Sequence, residues 1–136
     1  MFQFKRGRTY AVVALAVAIA AGCGSDDTLT NPQFEPEIVN QVDSFELQAT
    51  DITGVTETLA YTWDNTGTVA NVDRSTVLTD GSGTVTVFDV DGKQVFTSDL
   101  TTDGSSSTSS GVAGAWTIRI VLSNASGTVN FRVEKG

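Results

Sequence analysis

Asp89 and Asp91, followed by Gly92, are the first candidates for chemistry in this sequence. Alternating acids before a glycine begin the calcium loop of an EF-hand, which also requires a glutamate at its twelfth position. Counted from Asp89, that position holds Leu100, so the EF-hand loop is excluded. Aspartate and glycine equally suit a hairpin turn, through side-chain bonds to backbone and through positive φ. We favour a turn, with a calcium site at Asp89 and Asp91 as the alternative.

Arg119 and Arg132 are the second candidates. Apolar residues alternate with polar ones on either side of residues 123–126, which predicts two final strands joined in a hairpin. In that hairpin Arg119 lies opposite Asn130 and Arg132 opposite Thr117, so the two arginines are neighbours on one exposed face. Together they would suit an anionic or sugar ligand. The simpler alternative is salt bridges to acids on neighbouring strands.

Cys23 is the single cysteine of the chain and follows an export leader. Residues 1–8 carry three basic side chains and no acid, and residues 10–21 form an apolar run. About twelve apolar residues rise roughly 18 Å as a helix, whereas a bilayer core is about 30 Å thick. A removed signal peptide is therefore expected rather than a permanent transmembrane helix.

The end of the leader, Ala20-Ala21-Gly22-Cys23, resembles the lipobox of bacterial lipoproteins. The resemblance implies that signal peptidase removes residues 1–22 and that a diacylglycerol on the Cys23 sulfur holds the protein to a membrane. A lone cysteine has no intramolecular disulfide partner, which favours lipidation. Gly24, where aspartate would favour the inner membrane, points to the outer membrane of the bacterial cell envelope.

Composition limits what the remaining 114 residues do. They carry five Lys and Arg against 16 Asp and Glu, a net charge of −11, so nucleic acid is not an expected partner. The chain has no histidine, which removes Ser-His and Cys-His catalysis and histidine metal sites. We expect no enzymatic activity and, apart from the calcium alternative, no cofactor.

The pattern along the chain predicts one domain behind a linker. Residues 23–37 hold the lipidated cysteine and a polar segment with both prolines, typical of a flexible spacer. Residues 38–136 alternate apolar and polar side chains in repeated segments between Gly, Asp and Asn turns. This predicts an all-β fold, an antiparallel, jelly-roll-like β-sandwich of about 7–9 short strands.

Two further expectations concern the aromatic residues and the longest polar segment. Tyr61, Trp63 and Trp116 are in phase with apolar neighbours, which favours core packing over an exposed sugar-stacking platform. Residues 101–114 are rich in Ser, Thr and Gly, which predicts an exposed or disordered loop, with a binding loop as the alternative.

The stretch from Val85 to Lys135 resembles the prepeptidase C-terminal type of accessory domain. Three sequence segments carry the resemblance: VFDVDGKQV, GVAGAWTIRI and SGTVNFRV. In that family a strand, an Asp/Gly hairpin and a Gly-Xaa-Trp/Tyr strand belong to a jelly-roll-like sandwich. The resemblance implies this fold and a non-enzymatic accessory role.

Three functions are compatible with these features. The first is a lipid-anchored structural, accessory or protein-interaction lipoprotein of the envelope, whose membrane contact is the lipid on Cys23. The second is a carbohydrate-binding module that takes a cell-surface polysaccharide, and the third is a calcium-stabilised adhesion module. The sequence does not indicate an oligomeric state.

Overall fold

The computed structural model describes residues 36–136, which form seven strands joined by turns and loops. These are β1 (Glu37–Gln41), β2 (Ser44–Asn65), β3 (Ala70–Arg74), β4 (Val77–Phe88), β5 (Gln94–Asp99), β6 (Gly104–Ser107) and β7 (Gly114–Lys135). Every pairing among them is antiparallel, so the predicted all-β antiparallel fold is confirmed. Within this range no helix is long and apolar enough to span a bilayer. The leader, Cys23 and most of the predicted linker lie outside the described residues.

The fold is organised around a long ribbon of two strands. β2 and β7 have 22 residues each, so the prediction of uniformly short strands is wrong for them. They pair from Ser44 opposite Glu134 to Asn65 opposite Gly114. Their register shifts only in the middle, between Ala49 and Glu57 on the β2 side.

The ribbon folds over at these register shifts and so contributes to two layers. The first half of β2 and the second half of β7 lie in a sheet with β1, β3 and β6. The remaining halves lie in a second sheet with β4 and β5. A ribbon doubled over in this way gives the antiparallel β-sandwich that the sequence predicted.

Local conformation explains where the ribbon bends. Gly54 on β2 has φ +58° and Asn124 on β7 has φ +48°, values that interrupt an extended strand. The Gly54 N–H donates to Ser126 Oγ at 2.9 Å, and the Asn124 N–H donates to Thr56 Oγ1 at 2.9 Å. These side chains accept amide protons that the interrupted ladder leaves without carbonyl partners.

The core lies between the two sheets and is formed by alternate residues of each strand. Phe45 and Phe131 pack in the first sheet with ring centroids 6.0 Å apart, and Ile118 and Ile120 face them from the second. Trp63 and Trp116 are fully buried, which confirms their predicted core positions, and Tyr61 is half-buried. Among residues 36–136 the buried apolar side chains form one contiguous core.

The low-complexity segment corrects one expectation. Residues 104–107, with the sequence GSSS, form β6 and pair with β3 from Asn71 opposite Ser107 to Arg74 opposite Gly104. The prediction of a loop throughout residues 101–114 is therefore wrong at its centre. The partner strand overrides the weak strand propensity of glycine and serine.

The sandwich has two different ends. At the bend end the ribbon folds over, and β1 starts there, since Glu37 pairs with Gln48. At the opposite end, here called the loop end, β1 finishes and the β4–β5 turn lies beside the start of β7. The chain terminus also lies there, because the Gly136 N–H donates to the carbonyl of Val69.

Candidate functional site

An open cavity of about 400 Å³ lies at the loop end. It is lined by Val42, by Asp64–Thr66 where β2 finishes, and by Ala113–Ala115 where β7 begins. Its volume falls within the range of protein ligand sites, which is roughly 300–1,000 Å³. We call it the end cavity.

Two buried tryptophans hold the segments around the end cavity. Trp63 and Trp116 are opposite each other in the ribbon, and their rings pack at 88° with centroids 6.0 Å apart. The Trp63 Nε1–H donates to the Gln41 carbonyl at 3.0 Å, and the Trp116 Nε1–H donates to the Val112 carbonyl at 2.7 Å. Each acceptor lies one residue from a cavity-lining residue, so the indole pair fixes both sides of the cavity.

Asp43 joins the β1–β2 turn to the residues after β2. Its backbone, at φ +68°, donates from N–H to the Asp64 carbonyl at 2.8 Å. Its carboxylate accepts the Thr66 N–H at 2.8 Å and the Thr66 hydroxyl, and forms an ion pair with Lys135 at 3.4 Å. The Thr66 N–H above all, with a smaller contribution from Lys135, lowers the pKa of the Asp43 carboxyl.

Asp89 organises the β4–β5 turn and ties it to the loop before β7. The residue is 3 % exposed, and its Oδ1 accepts the N–H groups of Asp91 and Lys93 at 3.0 and 2.9 Å. Its Oδ2 accepts the Val112 N–H at 2.9 Å. These amides, Val112 first, hold the pKa of the Asp89 carboxyl below its usual range.

This geometry matches the turn interpretation of Asp89 and Asp91. Gly92 has φ +83° and donates its N–H to the Asp89 carbonyl at 3.0 Å, as a tight turn requires. Among residues 36–136 no three acidic, cysteine or histidine side chains are grouped so as to hold a metal ion. The calcium alternative stays a prediction that no contact of Asp89 supports.

Exposed valines and an aspartate surround the end cavity. Val42 is 59 % exposed and Val112 is 50 % exposed, and Val90 lies against Gly114 in the cavity wall. Asp64 is exposed, and in the described part of the chain no lysine or arginine lies within ion-pair distance of it. The surface around the cavity is thus apolar with an uncompensated negative charge.

Arg119 and Arg132 do not come together, so their predicted proximity is wrong. Each pairs with β2 rather than with the other half of β7, Arg119 opposite Ala60 and Arg132 opposite Glu46. The chain does reverse near residues 123–127, but the reversal carries β7 from one sheet to the other. The two side chains consequently lie on opposite outer faces of the sandwich.

The contacts of the two arginines differ. Arg132 lies 3.9 Å from Glu46 and 3.6 Å from Glu134, which confirms the salt-bridge alternative for this residue. Exposed pairs of this kind contribute about 0–1 kcal/mol. The Arg119 guanidinium lies over the ring of Phe88, 4.8 Å from its centroid. A shared ligand site for both arginines has no geometric basis here.

Arg74 is a buried cation that the sequence interpretation missed. It is 6 % exposed, donates to the hydroxyls of Ser98 and Ser106, and lies 5.4 Å from the centroid of Phe96. Its Nε has no hydrogen-bond partner. The contacts join β3 to β5 and β6, closing one open side of the sandwich. Its phase with the buried residues at 70 and 72 could have revealed this inward position.

No protein-family model and no curated protein matches this sequence, so the resemblance to prepeptidase C-terminal domains stays a prediction. Two structures of infectious bursal disease virus are among the solved structures that match. The Gt strain structure has 15 % identity and a TM-score of 0.28, over 92 % of this chain and 34 % of that chain. The Gx strain structure has 14 % identity and a TM-score of 0.28, over 98 % and 39 %.

This chain spans little more than a third of those viral chains.

Proposed function

We propose that the protein is a non-enzymatic binding module of the bacterial cell envelope. In this proposal a lipid on Cys23 tethers it to the outer membrane, and the end cavity engages a protein partner. The lipobox-like leader supports the tether, and the open cavity at the loop end supports the partner site. No catalytic residue is assigned.

The position of the end cavity relative to the linker is the observation that carries this function. The linker reaches the domain at the start of β1, and β1 runs from there toward Val42 in the cavity wall. At about 3.3 Å per residue, Glu37 and Val42 are roughly 16 Å apart along the strand. A domain tethered through the linker therefore has its cavity at the end that is not attached.

The positions of the aromatic residues disfavour the alternative function of a carbohydrate-binding module. Sugar-binding platforms need exposed ring faces, whereas Trp63 and Trp116 are fully buried and pack edge to face. Their indole N–H groups are already bonded to backbone carbonyls. The rings stabilise the cavity walls and offer no stacking surface.

Replacing the predicted lipid attachment residue tests the tether. The Cys23→Ala variant is expected to move from the membrane pellet to the soluble extracytoplasmic fraction, because stable attachment needs about two acyl chains. Fractionation followed by immunoblotting measures this, with Ser25→Ala as the matched control that should stay with the membrane. Retention of the Cys23→Ala variant in the pellet would refute the lipid tether.

Photo-crosslinking in cells tests the partner site. A photoreactive phenylalanine analogue at Val42 is expected to give a discrete, light-dependent adduct with an envelope protein. Val77 is the control position, because it is 64 % exposed and lies opposite Thr128 toward the bend end. The same adducts from both positions, or none from position 42, would contradict protein binding at the end cavity.

A further inference from the structure

The end cavity has room for a large apolar side chain. Its volume of about 400 Å³ corresponds to roughly a dozen water molecules at about 30 Å³ each. Two alanines and a glycine, residues 113–115, line the cavity together with Val42. The small side chains of residues 113–115 leave the space open. Covering the exposed Val42 side chain with an apolar group removes apolar surface from water, which is favourable.

The cavity is also held in shape before any partner arrives. Both sides are bonded to buried indoles, and the Val112 N–H is bonded to the buried carboxylate of Asp89. A preformed site needs little ordering on binding, so even a short segment can bind measurably.

The negative charge around the cavity favours a positively charged partner segment. Asp64 in the lining and Asp91 beside Val90 are exposed acids with no ion-pair partner in the described range. The nearby lysines are engaged, Lys135 with Asp43 at 3.4 Å and Lys93 with the Ser110 carbonyl at 3.1 Å. Residues 36–136 as a whole carry five basic and 13 acidic side chains. A cationic segment is therefore attracted to this end, and an acidic one is repelled.

We infer that the end cavity binds a partner segment in which a large apolar side chain is flanked by lysine or arginine. This inference rests on the proposed function and specifies the chemistry of the partner. The apolar side chain enters the end cavity beside Val42 and residues 113–115, and the flanking cation lies beside Asp64.

The two indole N–H groups make the inference measurable, because the chain has two tryptophans and both bond to the cavity walls. The sample is ¹⁵N-labelled chain from residue 23 onward, with Cys23→Ala, titrated with capped Gly-Lys-Leu-Lys-Gly. Both indole signals are expected to shift saturably. Capped Gly-Glu-Leu-Glu-Gly and Gly-Lys-Gly-Lys-Gly are expected to bind at least several-fold more weakly.

A charge variant sharpens the test. Asp64→Asn is expected to weaken binding of the Lys-Leu-Lys peptide several-fold, and about 0.5 M salt should remove most of this difference. Asp99→Asn, which removes an exposed acid on β5, is the matched control and should bind as the parent does.

The outcomes separate the inferred peptide chemistry from the proposed protein binding. Equal binding of the basic and acidic peptides, equal binding of the glycine-centred peptide, or an unchanged Asp64→Asn affinity would overturn the inference. A Val42 adduct in cells together with equal peptide binding would reject only the charge rule and leave protein binding standing. Absence of both the adduct and the shifts would reject the two together.

Discussion

Alanine at position 81 is expected to destabilise the domain by about 2–5 kcal/mol. Gly81 has φ +75°, and a Cβ there would lie 2.0 Å from the Asn124 carbonyl oxygen and 2.5 Å from the Ser123 carbonyl oxygen. Left-handed backbone costs an alanine about 1–2 kcal/mol. Relieving the contact requires β4 and β7 to separate at the bend, and such overpacking adds about 1–3 kcal/mol. Urea unfolding of Gly81→Ala measures the total.

Gly92→Ala is the matched control for this prediction. Gly92 also has a positive φ, +83°, but a Cβ there has no heavy atom within 4 Å. Its alanine variant should therefore show only the backbone cost of about 1–2 kcal/mol. Equal losses of unfolding free energy in the two variants would show that close strand approach at the bend is not needed for stability.

Trp116→Ala is expected to lower the free energy of unfolding by about 3–5 kcal/mol, the usual cost of emptying a large buried aromatic site. Since small domains have about 5–15 kcal/mol in total, this is a large fraction. The same variant should reduce peptide binding, because the Val112 carbonyl loses its indole partner. Thermal unfolding and the Trp63 indole signal report the two effects separately.

Trp116→Phe is the conservative variant for the same site. Because phenylalanine keeps most of the buried ring surface, its loss of unfolding free energy should be well below that of alanine. It has no N–H for the Val112 carbonyl, so only that hydrogen bond and the smaller ring should matter. A Trp116→Ala variant as stable as the parent would contradict the core assignment. A Trp116→Phe variant with unchanged peptide affinity would contradict the role of the indole N–H in holding the cavity wall.

Alternation in the sequence predicts which side chains enter the core. Trp63 and Trp116 follow their strands in phase and are buried, because a strand places every second side chain on one face. The Asp89–Lys93 hairpin was also predictable, since it depends on local turn chemistry. These features share a local physical cause.

The bends of the ribbon could not be predicted from local patterns. Residues 123–127 reverse the chain whether they join neighbours in one sheet or carry a strand over to another sheet. Which occurs depends on the partner, and here β2 pairs with both halves of β7. Ile118 and Phe131 point inward in both arrangements, so alternation does not distinguish the two arrangements. Arg119 and Arg132 are neighbours in the first arrangement and far apart in the second.

The end cavity could not be predicted from the sequence, for a related reason. Its lining comes from three segments, with Val42 more than 70 residues before Ala115, and none of them contains a recognisable motif. Small apolar residues and a turn are common in any β domain. Only the doubling of the ribbon brings both ends of β2 and the start of β7 together.

The direction of the strands has a mechanical consequence. β1 and both halves of the ribbon run between the end where the linker enters and the end that holds the cavity. Under the proposed function, tension between the tether before Glu37 and a partner at the end cavity would act along the strands. The ladder bonds between β1 and β2 are perpendicular to that pull and share the load in shear, rather than opening one after another. Under the proposed function, such a pull would load the sheet along its strands.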